Sequence, residues 1–396
     1  MMTQIPMSSP DITAAEIEAV NLVIESRCLS IGPLIVEFED RFAAYIETRH
    51  AAGVSSGTAG LHLCIIAAGI GECDLVVTTP FSFIASANCI LYKWAIPILV
   101  DIDPQTLNID PTLLAQAADD LVCGGDAARR WLPPAIRDSQ SEIGNVKAIL
   151  PVDAFGQPAD YDPICQVADR YDWVIIEDAC EAVGAEYKGR KVGTLGHMAV
   201  FTLSPNKQMI AGEGGMIVTG REDWDALFRS LRNQGRDAFD AWPNRSRLGY
   251  SYRLDEMSAA LGLAQLDRIE ELLAKRERVD GWHNERLKNT EGVQIPYIAP
   301  TTTRMSWFVY VIRLAPEINR NGVMAALKER GIPSQPYHTS IHLQPFYQER
   351  FGYRKGDFPV TEAVARSVLA LPFSGVMTEK QVADVCEHLA HIVNLQ

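Results

Sequence analysis

The chain has 396 residues, 47% of them hydrophobic, with a formal net charge of -14 and a pI near 5.1. That acidity, with no basic run longer than Lys188-Gly189-Arg190-Lys191, speaks against a nucleic-acid partner. No stretch approaches a membrane span, Met1 to Asp11 does not read as a secretory leader, and the eight scattered cysteines lack a Cys-x-x-Cys pair, which suits free thiols in a reducing cytoplasm better than disulfides or a zinc site.

Along the chain, the first informative segment is the turn of small residues Ser55-Ser56-Gly57-Thr58-Ala59, which opens a helix expected from Gly60 to Ala68. A helix start offers unpaired backbone N–H groups and a positive dipole end to an anion, and the hydroxyl of Ser56 or Thr58 adds a donor. Taken alone, the same turn is a plain N-cap. The apolar runs Leu75 to Thr78, Ile96 to Val100, Ala148 to Val152 and Trp173 to Ile176 read as buried strands, with helices at Pro111 to Ala118 and Tyr161 to Arg170 between them. This alternation predicts an α/β fold whose mostly parallel sheet is covered on both faces. After the first of these strands, Phe83 in Pro80-Phe81-Ser82-Phe83 offers a ring for stacking, though an aromatic there is more often core. Cys123 to Asn145 is irregular and reads as an inserted surface loop.

Glu177-Asp178 follows the Trp173 to Ile176 strand, at the carboxyl end where ligand crevices form in such sheets, and Glu181 lies just beyond. Lys207 ends the segment Phe201 to Lys207 and precedes the turn Gly212-Glu213-Gly214-Gly215 and the apolar run Met216-Ile217-Val218. The glycines permit positive φ and close backbone approach, and the apolar flanks exclude water, a setting suited to a lysine that forms a Schiff base. A solvated lysine in a turn is the blander alternative. A long amphipathic helix is expected from Asp255 toward Arg278, then a strand at Trp307 to Ile312, a helix at Gly322 to Arg330 and a closing helix at Thr378 to Val393. We therefore expect a large domain over residues 1–250 and a smaller α+β domain over 251–396.

A phosphate cup at Gly57 and Thr58, a strand-end acid at Asp178, an aromatic at Phe83, a hydroxyl at Thr202 and a protected Lys207 together match what pyridoxal phosphate requires. With them come Val100-Asp101-Ile102-Asp103-Pro104, Phe155-Gly156-Gln157-Pro158, Glu177-Asp178-Ala179-Cys180-Glu181, Ser204-Pro205-Asn206-Lys207 and Gly249-Tyr250-Ser251-Tyr252-Arg253. Over nearly its whole length the chain resembles the DegT/DnrJ/StrS sugar aminotransferases, which are fold-type-I pyridoxal-phosphate enzymes. The resemblance implies a seven-stranded-type central sheet and a cofactor that alternates between pyridoxal and pyridoxamine phosphate. It further implies Lys207 as the cofactor's covalent anchor and Asp178 as partner of the pyridinium nitrogen, with Phe83 stacked on the ring and Gly57, Thr58 and Thr202 on the phosphate. Glu181 would touch the 3-hydroxyl at a position that is often Gln. Ser251 stands where relatives usually carry an Asn that reaches the neighbouring subunit's cofactor, and a homodimer is implied. Arg253, Tyr337 and His338 are the expected substrate contacts. L-glutamate would donate the amine to a keto sugar on a nucleotide, most often a 4-keto-6-deoxyhexose. Two other readings are a sugar dehydratase of the same fold, disfavoured because Lys207 is retained, and a non-catalytic regulatory relative. Nothing in the histidine or cysteine spacing predicts a metal.

Overall fold

The computed structural model describes residues 5–137, 143–236 and 245–395. Among the described residues thirteen strands follow in chain order: β1 (His50–Val54), β2 (Leu75–Thr78), β3 (Ile96–Leu99), β4 (Val146–Ile149), β5 (Val174–Asp178), β6 (Glu186–Tyr187), β7 (Arg190–Lys191), β8 (Met198–Thr202), β9 (Gly215–Thr219), β10 (Val293–Gln294), β11 (Thr302–Arg304), β12 (Tyr310–Leu314) and β13 (Val368–Leu371). The main sheet has seven strands in the order β1-β9-β8-β5-β4-β2-β3. Its β3, β2, β4, β5 and β8 run parallel, while β9 joins β8 and β1 antiparallel. Smaller three-stranded sheets are β10-β12-β13 and β11-β6-β7.

Both faces of the main sheet are buried, which explains the near-continuous apolar runs. Val77, Ile175, Ala199 and Val218 pack into one cluster with Phe38, Phe42 and Tyr161. Their chain neighbours Val76, Ile176, Val200 and Ile217 pack into another with Leu61, Ile65 and Phe228. Successive residues of a strand point to opposite faces, so each pair of neighbours serves two cores. A further cluster, built around β12, β13 and the helix Glu379–Val393, gathers Tyr310, Ile312, Leu369, Val385 and Leu389.

Several boundaries differ from expectation. The long helix after Asp255 is two helices, Glu256–Leu266 and Ile269–Leu287. Between them Arg268 leaves helical angles (φ -112°, ψ 10°), and its guanidinium binds Asp11, Glu16 and Glu271. The ion pairs hold the break, and apolar periodicity does not register them. Trp307 and Phe308 precede strand β12 rather than lying in it, and β4 starts earlier than Ala148. The segment expected as a loop from Cys123 contains two short helices, Gly125–Arg129 and Pro134–Arg137, while its residues 138–142 lie outside the described residues. Among the described residues no helix is long and apolar enough to cross a membrane.

Candidate active site

The carboxyl ends of β1, β5 and β8 open onto one cavity of about 410 Å³, within the range of small-molecule sites. Its first wall is the start of the helix Gly57–Ala67. Ser56 caps that helix by accepting from the Ala59 N–H at 3.1 Å, while the amides of Gly57 and Thr58, both lining the cavity, have no acceptor among the described residues. Thr202, at the end of β8, also lines the space. The glycine turn is what lets these parts meet. Gly212 and Gly214 take positive φ (81° and 152°), and a Cβ on Gly215 would sit 2.7 Å from the Ser56 carbonyl carbon. Backbone N–H groups and hydroxyls converging on a helix start form a site for a phosphate.

Asp178 ends β5 and is 5% exposed. Its Oδ2 accepts from Ser86 Oγ at 2.5 Å, and its Oδ1 accepts from the Cys180 N–H at 3.3 Å. Burial raises its pKa, with the Ser86 and Cys180 bonds opposing that rise. No Lys, Arg or His among the described residues pairs with it. A buried carboxylate of this kind is suited to a cationic ring nitrogen.

Lys207 reaches the same cavity. Its Nζ stands 3.5 Å from Glu181 Oε1 and 3.7 Å from the centre of the Phe308 ring, so a carboxylate and a π face both hold the ammonium. Glu181 is 6% exposed; burial alone would raise its pKa, but Lys207 and His338 outweigh it and bring the carboxyl down to about 2. His338 Nε2 lies 3.8 Å from Glu181 Oε2, beyond hydrogen-bonding distance, and is buried without an acceptor or donor. Glu181 Oε2 also accepts from the Phe155 N–H at 2.8 Å, for which Phe155 takes a left-handed φ of 60°. The His338 ring stacks on Phe155 (5.0 Å, 10°), and Tyr337 meets the edges of Phe155 and Phe308.

Two clamps fix the lysine loop from behind. Arg276, 5% exposed, donates to the carbonyls of Lys207 (2.8 Å), Phe308 (3.1 Å) and Trp307 (3.3 Å). Gln208 Nε2 donates to the Glu181 carbonyl and to Ser306 Oγ at 2.5 and 2.8 Å. The amine, the carboxylate beside it and the ring beneath it are therefore tied to one another through backbone.

The sequence profile of the DegT/DnrJ/EryC1/StrS aminotransferase family matches residues 10–390. The chain belongs to that family. A GDP-perosamine synthase of Caulobacter vibrioides is 36% identical over 400 residues, covering 99% of each chain. The S. venezuelae DesV structure, solved in complex with a ketimine intermediate, is 30% identical, covers 96% of this chain and 94% of its own, and has a TM-score of 0.83. The PLP form of the putative sugar aminotransferase Spr1654 from Streptococcus pneumoniae shares the fold, with a TM-score of 0.88 over 99% of each chain at 24% identity. The main sheet and its flanking helices are thus those of a fold-type-I aminotransferase.

In this DegT-family chain the cavity brings together Gly57, Thr58, Phe83, Asp178, Glu181, Thr202, Lys207, Tyr337 and His338. Phe83 is 64% exposed on its rim. Ser251 and Arg253 do not line it. They bond to each other at 3.1 Å, and Arg253 also bonds to Asn233, beside the β1 end. Sequence reasoning missed Ser86, Phe308, Arg276 and Gln208. Only Ser86 left a local signal, since it lies one helical turn beyond Ser82 and the two hydroxyls meet at 2.8 Å.

Proposed function

We propose that the chain is a pyridoxal-phosphate aminotransferase that moves the amino group of L-glutamate onto a keto sugar carried by a nucleotide. The observation that carries this reading is that Asp178 and Lys207 face one cavity with the two free amides of Gly57 and Thr58. The donor set fits the cofactor: amides and hydroxyls for its phosphate, an unpaired buried acid for its ring nitrogen, and an amine within the same walls. When bound, the cofactor supplies the electron sink that lets an amino-bearing carbon lose a proton.

The chain's own groups do the rest. Lys207 would be the residue that holds the cofactor, and its Nζ is placed to carry a proton as general acid and base. Asp178, screened from water, would set its negative charge against a cationic ring nitrogen, an attraction that stabilises both partners. Glu181 orients the Lys207 amine and would hold the cofactor's ring hydroxyl. Phe83, on the cavity's rim, would hold the ring by stacking, and Tyr337 and His338 would wall the sugar.

Ser251 and Arg253 lie outside the cavity of their own chain, which supports a homodimer in which they serve the neighbouring site. The 36% identity to a GDP-perosamine synthase supports a nucleotide-linked sugar, and we infer a 4-keto-6-deoxy hexose as the acceptor. The separate apolar cluster around β12 and β13 supports a division near residue 250 into a large and a small domain. The test is a panel of nucleotide-linked keto sugars with L-glutamate, products identified by mass spectrometry and NMR. An amino sugar formed at the expense of glutamate is expected; a deoxygenated sugar formed without glutamate consumption would favour the dehydratase reading instead.

A further inference from the structure

A groove of about 690 Å³ lies away from the catalytic cavity, between strands β10 and β12 and the helices Arg320–Glu329 and Pro359–Ser367. Among the described residues three arginines line it, Arg313, Arg320 and Arg366, and no aspartate or glutamate does. In a chain with a net charge of -14, such a lining runs against the overall composition.

The acceptors these guanidiniums do have are neutral. Arg320 donates to the Val368 carbonyl at 3.0 Å and to Asn321 Oδ1 at 2.9 Å, and Arg313 donates to the Pro104 carbonyl. None of the three forms an ion pair among the described residues. Burial pulls the pKa of both Arg313 and Arg320 down, with no carboxylate to offset it. Two cations are thus partly desolvated with their charge uncompensated, which costs free energy unless an anion arrives.

The helix Arg320–Glu329 adds a second, independent element. Its first turn carries no acidic residue, and its cap Asn319 accepts from the Gly322 N–H at 3.1 Å. Arg320 and Asn321, whose amides precede that bond, line the groove at the positive end of a ten-residue helix. Planar guanidiniums beside free helix-start amides form a donor set matched to phosphate oxygens.

We propose that this groove binds a diphosphate group, either inorganic or carried on a nucleoside. Three cations and a helix start exceed what one phosphate needs, and the volume leaves room for an attached organic part.

The test is calorimetric titration of the full-length, cofactor-loaded protein at low ionic strength, first with inorganic pyrophosphate and then with a nucleoside diphosphate. Arg320 ties the end of a neighbouring helix, so the variants are Arg366→Glu and Asn321→Asp, each checked by circular dichroism. Arg366→Glu should weaken pyrophosphate binding by at least about tenfold and Asn321→Asp by several-fold, since each sets a negative charge against the ligand. Turnover should stay unchanged in both. If the nucleoside diphosphate shows an Arg366-sensitive component tighter than pyrophosphate, the natural ligand is a nucleotide; if that component is no tighter, it is inorganic. Absence of pyrophosphate binding to the wild-type protein, or equal affinity in wild type and both variants, overturns the proposal.

Discussion

Replacing Arg276 by Met removes the donors of three carbonyls at once, the buried ones of Trp307 and Phe308 and the half-buried one of Lys207. A buried acceptor left unsatisfied costs about 1–3 kcal/mol. The contact to Trp307, at 3.3 Å, is the weakest of the three and belongs at the bottom of that range. Against this stands relief from burying a cation with no carboxylate in contact, since burial pulls the guanidinium down to about 10. The net expectation is a loss of about 2–4 kcal/mol. For a chain of 396 residues that lowers the thermal midpoint by roughly 2–5 °C, using an unfolding entropy of about 2.1 cal/mol/K per residue. Because the same guanidinium fixes both the lysine loop and the Phe308 backbone, the variant should also alter how fast Lys207 reacts with a small aldehyde under borohydride. Arg276→Lys should fall between, since a single ammonium does not reproduce the planar fork. The assays are scanning calorimetry and peptide mapping of the labelled apoprotein. A midpoint within about 1 °C of wild type, with unchanged labelling of Lys207, refutes the clamp.

Asp178→Asn should leave the fold intact while lowering turnover by about 100-fold or more, because a neutral amide does not keep a ring nitrogen cationic; steady-state kinetics on the loaded enzyme read this, and full activity would count against the assignment. Glu181 has a folded pKa depressed from 4.5 to about 2, so its contribution to stability is complete above the unfolded value and lost as pH falls through the folded one. Apoprotein melts of wild type and Glu181→Gln should therefore differ at pH 6 by up to about 3 kcal/mol and converge as pH drops below 4.5, and a constant gap would contradict the pairing. Gly156→Ala places a Cβ 1.5 Å from the Ser306 carbonyl oxygen at a φ of 93°, so about 3 kcal/mol or more of stability should be lost; an unchanged melt would show that the Gly156–Ser306 contact is wrongly drawn.

What the sequence makes legible is local chemistry. The lysine loop reads correctly because its glycines encode their own backbone geometry, and Gly212, Gly214 and Gly215 use it for positive φ and close approach to the Ser56 turn. Glu177-Asp178 reads correctly because a buried strand must deliver its last residues to the sheet's edge. Arg276 does not read, because Lys275-Arg276-Glu277-Arg278 resembles any solvated helical face, and only the tertiary fold turns one of those cations inward. Phe308 likewise comes from the far side of residue 300 to lie under an amine at residue 207. The antiparallel insertion of β9 between β1 and β8 was hidden for a related reason: its apolar run is the same whether it pairs parallel or antiparallel. The helix break at Arg268 depends on partners more than 250 residues away in sequence, Asp11 and Glu16, and so escapes any local pattern.

Lys207 is the one amine proposed to carry the cofactor. Purified protein loaded with pyridoxal phosphate, reduced with borohydride, digested and mapped by mass spectrometry should place the pyridoxyl group on the peptide containing Lys207 and on no other, with a stoichiometry near one per chain. A label on a different lysine, or reduced protein bearing none, would contradict the account.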